Sequence, residues 1–143
     1  MEQLTKRQKA REEVFALLFE TAFNGDKTAE AILADAEEAR GIKVDDYVRN
    51  TYFGVVAHID ELNADIDEHA VGWKRNRISA VSLAIMQLCI YEMRYSTDIP
   101  LRVALNEAIL LSKRFDDEKA RPFVNGILNA VMQNEKKKRD DEE

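Results

Sequence analysis

Apolar residues recur along this chain at three- and four-residue spacing, and strict alternation is absent, so the pattern predicts helices and no sheet. Thr5-Lys6-Arg7-Gln8 fits a capping box and starts a helix over residues 5–23, with Val14, Leu18 and Ala22 on its inner stripe and Asn24-Gly25-Asp26 as the turn after it. Thr28 caps a second helix that ends at Arg40, where Gly41 suits the position beyond the last turn. A third begins near Asp45 and carries Val48, Tyr52, Val55 and Ile59; the acidic stretch 60–68 reads as a looser connection. Trp73-Lys74-Arg75-Asn76-Arg77 leads into a fourth helix over 78–95. Val81, Ile85 and Leu88 form one apolar stripe there, and Leu83, Met86, Ile90 and Met93 another. A helix apolar on nearly every side belongs at the centre of its fold. Pro100 opens a fifth helix, with Leu101, Leu105, Ile109 and Ser112 on one face and its end near Phe115, and Pro122 opens a sixth.

The expected fold is therefore all-α. It reads as one domain over residues 1–133, with helical halves at about 5–70 and 73–133 and a charged, disordered tail over 134–143. The sixth helix contains a contradiction: Asn125-Gly126 has the form of a turn, yet Phe123, Val124, Ile127, Leu128 and Val131 keep helical spacing around it. At about 100° per residue Gly126 faces away from that stripe, beside Asn125 and Asn129. Either the glycine leaves the polar face open to an incoming group, or a second helix presses there.

Composition narrows the class. The chain has 143 residues, 45% hydrophobic and 34% charged, as expected of a globular domain, and no apolar run approaches the ~20 residues of a membrane span. With no signal-type apolar segment near its start, it reads as cytoplasmic. Cys89 is the only cysteine, which excludes an internal disulfide, and its surroundings Met86-Gln87-Leu88-Cys89-Ile90 read as core. The net charge of −6 is unevenly spread: +3 over residues 1–11, −11 over 12–70, +6 over 71–139 and −4 over 140–143. Two basic segments around an acidic one permit a basic patch on an acidic body.

Catalytic and metal-binding patterns are absent. His58 and His69 lack the Glu three residues before them that helical di-iron sites use, and there is no phosphate loop, zinc-helix motif or nucleophile elbow, so neither a cofactor nor a reaction is expected. The basic positions carry more information. Lys6, Arg7, Lys9 and Arg11 occupy the first turns of a helix, where the macrodipole disfavours cations by up to ~1 kcal/mol each. Arg7 and Arg11 continue the stripe of Val14 and Leu18, so this helix is expected to present its arginines beside the core as a phosphate-contacting arm or, alternatively, to fray. Lys113 and Arg114 complement a helix C-terminus without needing a ligand. Trp73 could stack on a base, but capping the core is the favoured reading.

Taken in order, Arg7-Gln8-Lys9-Ala10-Arg11-Glu12, Trp73-Lys74-Arg75-Asn76-Arg77-Ile78, Ile90-Tyr91-Glu92-Met93, the run from Asp98 (DIPLRVALNEA), Ser112-Lys113-Arg114-Phe115 and Phe123-Val124-Asn125-Gly126-Ile127-Leu128 resemble the NusB family of bacterial transcription antitermination factors. The match covers residues 7–132. The resemblance implies two small helical bundles packed into one compact domain. It also implies binding of single-stranded boxA RNA together with NusE, a ribosomal small-subunit protein, within an RNA polymerase antitermination complex, with a homodimer possible and no membrane role. It assigns RNA contacts to Arg7, Lys9 and Arg11 and to Lys113, Phe123 and Asn125, on regions the family fold would bring to one surface. Charge and proximity add Lys6, Arg114 and Arg121. Partner-contacting residues are left unassigned, because Ser82 and Gln87 depart from the family pattern where that surface is expected. The acids at 116–118 also depart from it and would repel phosphate, which leaves a helical protein–protein adaptor as the alternative function.

Overall fold

Capping decides where the first helices begin. In the computed structural model, which describes residues 3–41 and 43–142, Gln8 N donates to Thr5 Oγ1 at 3.0 Å and Thr5 N to Gln8 Oε1 at 2.9 Å, so the capping box closes as the sequence predicts. It starts α1 (Lys6–Phe23). Thr28 caps α2 (Ala29–Arg40), which ends on Gly41 at φ +70°, a left-handed conformation that glycine adopts without a steric cost. Asp45 starts α3 (Asp46–Ala57) by accepting from Val48 N at 2.9 Å.

The chain divides into two compact units, residues 1–57 and 58–143. The first is α1, α2 and α3 around Val14, Leu17, Leu18, Ile32, Leu33, Val48, Tyr52 and Val55, all buried. Within it Thr21 Oγ1 donates to Leu17 O at 2.7 Å, which leaves the Tyr52 hydroxyl to donate to Thr21 across 2.6 Å. Burial raises the Tyr52 pKa, and the Thr21 hydrogen bond opposes that in part.

The second unit corrects two expectations. Residues 60–68 are not a loose connection but most of α4 (Ile59–His69), with Leu62 and Ile66 fully buried, so the division falls at residue 57 and not near 70. After a left-handed Gly72 (φ +82°) and a short 3₁₀ turn (Arg75–Arg77) come α5 (Ala80–Tyr95), α6 (Leu101–Phe115) and α7 (Arg121–Glu142). As expected, α5 is central. It touches α4, α6 and α7 and buries Ile85, Met86, Leu88, Ile90 and Met93.

The other correction concerns residues 134–142, expected to be disordered and found to be the last turns of α7. The side chains of Asn134, Glu135 and Arg139 are paired. Glu135, 5% exposed, accepts from Arg94 Nε at 3.0 Å and Nη2 at 2.8 Å, while Arg94 Nη1 donates to Asp65 at 2.6 Å. Arg139 donates to the carbonyls of Met93 (2.8 Å), in the last turn of α5, and of Ile99 (3.4 Å), beyond it. His69 Nδ1 lies 2.8 Å from Asp65 O and therefore carries the proton, leaving Nε2 to accept from Asn134 at 3.2 Å. Burial alone would lower the Arg94 pKa, but the hydrogen bonds it donates to Asp65 and Glu135 outweigh that and hold the guanidinium charged.

Removing Glu135 takes two charge-assisted hydrogen bonds from a largely buried guanidinium that keeps Asp65 as its remaining close partner. Glu135→Ala is expected to lower the unfolding free energy by about 3 kcal/mol, read from urea denaturation. A drop under ~1 kcal/mol would mean that α7 beyond residue 133 is not fastened by this pair.

Candidate nucleic-acid interface

In the first unit the basic N-terminus of α1 is ordered, with Lys6, Arg7 and Lys9 exposed. Arg7 places its guanidinium carbon 4.0 Å from the centroid of Tyr47, on the first turn of α3; such a contact is worth about 0.5–1 kcal/mol at an exposed site and offsets the dipole penalty. Lys6 and Lys9 have no ion pair among the described residues. Lys6, Arg7, Asp45, Asp46 and Tyr47 line one shallow cavity. Arg11 departs from expectation. It is 5% exposed, 6.0 Å from the Tyr47 ring, and so is not presented to solvent beside its neighbours.

In the second unit the predicted residues fall on two sides of α7. Arg121 Nη2 donates to Lys113 O at 3.2 Å, which ties the start of α7 to the end of α6. Asn125 follows Arg121 by four residues and shares its face. On these two helices Ser112 Oγ, Arg121 Nε and Asn125 Oδ1 are buried and have no hydrogen-bond partner among the described residues, a condition that costs about 1–3 kcal/mol per group. Lys113 and Arg114 are exposed, and Arg114 lies 5.4 Å from the Phe115 ring.

Phe123 points elsewhere, about 160° around the helix from Asn125. Its ring meets Trp73 with centroids 5.6 Å apart and planes at 55°. Trp73 is 55% exposed, so it does not cap the core as the sequence suggests. Arg77, Lys119, Asp116 and Asp117 line the same cavity, which has a volume of about 320 Å³. Gly126 is exposed, and a Cβ built there meets nothing within 4 Å. No helix presses on it, which decides the question that the Asn-Gly dipeptide raised.

The acids at 116–118 are not equivalent. Asp116 Oδ2 accepts from Ser82 Oγ at 2.6 Å and its Oδ1 from Asp117 N at 2.9 Å, so this carboxylate joins the end of α6 to the start of α5. Asp117 Oδ1 accepts from Lys119 N at 3.1 Å and shapes the turn into α7. Glu118 is exposed. Trp73, Tyr47, Arg77 and Lys119 were not among the residues assigned from the sequence. The left-handed Gly72 immediately before Trp73, which lifts that ring out of the helical path, is the signal that could have found it.

Among the described residues no group of three or more His, Cys, Asp or Glu could hold a metal ion, and no helix is long and apolar enough to cross a membrane. The described residues thus define an all-helical protein that carries exposed cations near exposed aromatic rings. The chain belongs to the NusB family, whose profile matches residues 8–133. It is 42% identical over 126 residues to the transcription antitermination protein NusB of Bacillus subtilis, covering 88% of this chain and 94% of that one. It is 36% identical to the protein of the same name from Clostridium botulinum strain Loch Maree, over 88% and 99% of the two chains. Among solved structures, NusB of T. maritima superimposes with a TM-score of 0.80 at 30% identity, covering 92% of this chain and 93% of that one. A chain from a crystal structure of the antitermination factors NusB and NusE in complex with dsRNA gives 0.77 at 25% identity, with 90% and 96% covered.

If Asp116 is a structural joint, Asp116→Ala should cost about 1–2 kcal/mol in urea denaturation, whereas Glu118→Ala should stay within ~0.5 kcal/mol. Equal effects at the two positions would remove the distinction.

Proposed function

We propose that this chain is a cytoplasmic transcription antitermination factor that binds single-stranded boxA-type RNA together with NusE and acts with RNA polymerase. The function is binding and not catalysis. The observation that carries this reading is likeness over nearly the whole chain to antitermination proteins named NusB, one of them in a structure with NusE and dsRNA. The local chemistry supports it. Lys6 and Lys9 are cations without an ion pair among the described residues, which suits phosphate contacts, and exposed rings suit unpaired bases. Arg7 in the first unit and Lys113, Arg114 and Arg121 in the second add charge to the proposed RNA contacts, with Asn125 on the Arg121 face of α7 and Phe123 on its other side. Arg11, being buried, takes the supporting place behind Arg7 and Tyr47 in this reading. The adaptor alternative drew on repulsion by the acids at 116–118, but Asp116 and Asp117 have structural tasks, joining α6 to α5 and shaping the turn into α7, that account for their presence without it.

With equimolar NusE, boxA RNA should bind at least tenfold more tightly than a scrambled RNA of equal length in a mobility-shift series. Equal binding would sink the proposal. Lys9→Ala should lower the slope of log affinity against log salt by about 0.7, as expected when one phosphate of a single strand is no longer neutralised.

A further inference from the structure

We propose that Trp73, braced by Phe123, forms a stacking platform for one unpaired nucleobase of the bound RNA, with Arg77 and Lys119 holding the flanking phosphates. This rests on the RNA-binding reading above and adds a residue, Trp73, and a binding mode to it. Three observations converge. Trp73 is the chain's only tryptophan and lies 55% exposed, an apolar surface that water solvates poorly and that the fold does not cover. It is nonetheless held in place: Trp73 N donates to Ala70 O at 3.0 Å after the left-handed Gly72, and its ring rests against Phe123 at 5.6 Å. A ring so oriented before binding loses little freedom when a base stacks on it.

The charges around the platform select for a base rather than a phosphate. The cavity wall carries Asp116 and Asp117 as well as Arg77 and Lys119. Two carboxylates disfavour a phosphate inside the cavity, while a neutral base can enter and offer its amino hydrogens to an acceptor such as Asp117, whose Oδ2 makes no hydrogen bond among the described residues. Arg77 and Lys119 are exposed and have no ion pair among the described residues, so they can take the sugar–phosphate backbone on either side of that base. The acidic run thus confines phosphate to the rim without opposing RNA as a whole.

The experiment uses the full chain with NusE. Binding of labelled boxA RNA is followed by anisotropy, and Trp73 emission is followed separately with unlabelled RNA, with the Trp73→Phe complex as the blank that isolates this residue. Saturating RNA is expected to quench Trp73 emission by about half or more. Trp73→Leu should weaken binding about 5- to 150-fold, the equivalent of ~1–3 kcal/mol for one stacked base. Trp73→Tyr should recover most of that affinity, which a merely apolar role would not require. RNA that binds by anisotropy but leaves Trp73 emission unchanged overturns the platform while the antitermination reading stands, and this holds even if the Leu variant folds poorly. Wild-type affinity in Trp73→Leu overturns it as well. If neither boxA nor scrambled RNA binds the wild-type complex, both proposals fall.

Discussion

The guanidinium of Arg94 is the joint on which the second unit depends. It sits at the end of the central helix and reaches Asp65 on α4 and Glu135 on α7 at 2.6 and 2.8 Å, with Glu61 at 3.5 Å. Burying an ion pair gains little net stability over a well-packed apolar contact, but misplacing one partner strands a charge, so the arrangement penalises every alternative register. Arg139 adds a second point by donating to carbonyls near the end of α5. Both fix α7 along its axis. Its first turns, with Arg121, Phe123 and Asn125, are held at one height beside the end of α6.

Such pairs change what the net charge means to a ligand. The total of −6 suggests a body hostile to RNA. Several of its acids, however, are engaged by the protein's own groups. Asp45 caps α3, Glu37 accepts from Val44 N at 3.0 Å and pairs with Arg49, Asp65 and Glu135 hold Arg94, and Asp116 holds Ser82. Lys6, Lys9, Arg77 and Lys119, by contrast, have no ion pair among the described residues. At physiological salt the screening length is about 8 Å, so an approaching phosphate responds to the nearest charges and not to the total.

Local rules were readable wherever a helix end satisfied itself. Thr5 with Gln8, Thr28, and Gly41 at the end of α2 each act within four residues, and each appears where the sequence places it. The failures are long-range. The stretch 60–68 looked loose because Leu62 and Ile66 are almost its only apolar residues, yet α5 and α7 cover those two. The C-terminal run looked disordered because its partners, Arg94 and the Met93 carbonyl, lie 41 and 46 residues away from the Glu135 and Arg139 that meet them. Trp73 failed in the opposite sense: hydrophobicity assigned it to the core, whereas a two-residue turn at Gly72 places it outside. Composition does not carry that distinction, since an exposed and a buried tryptophan are the same letter.

Gly126 connects these threads. A glycine inside a helix costs about 1 kcal/mol relative to alanine, and packing does not demand it here, because a Cβ would meet nothing within 4 Å. On the wheel it lies between the two sides of α7 that carry the proposed contacts, about 60° from Phe123 and about 100° from Asn125. The arc between those faces is thus bare of a side chain at its centre. A strand whose base rests on Trp73, as proposed, can cross α7 there, close to the helix backbone. In that geometry the glycine's cost in helix stability is offset by access, and the Asn-Gly pair serves as a crossing point and not as a turn.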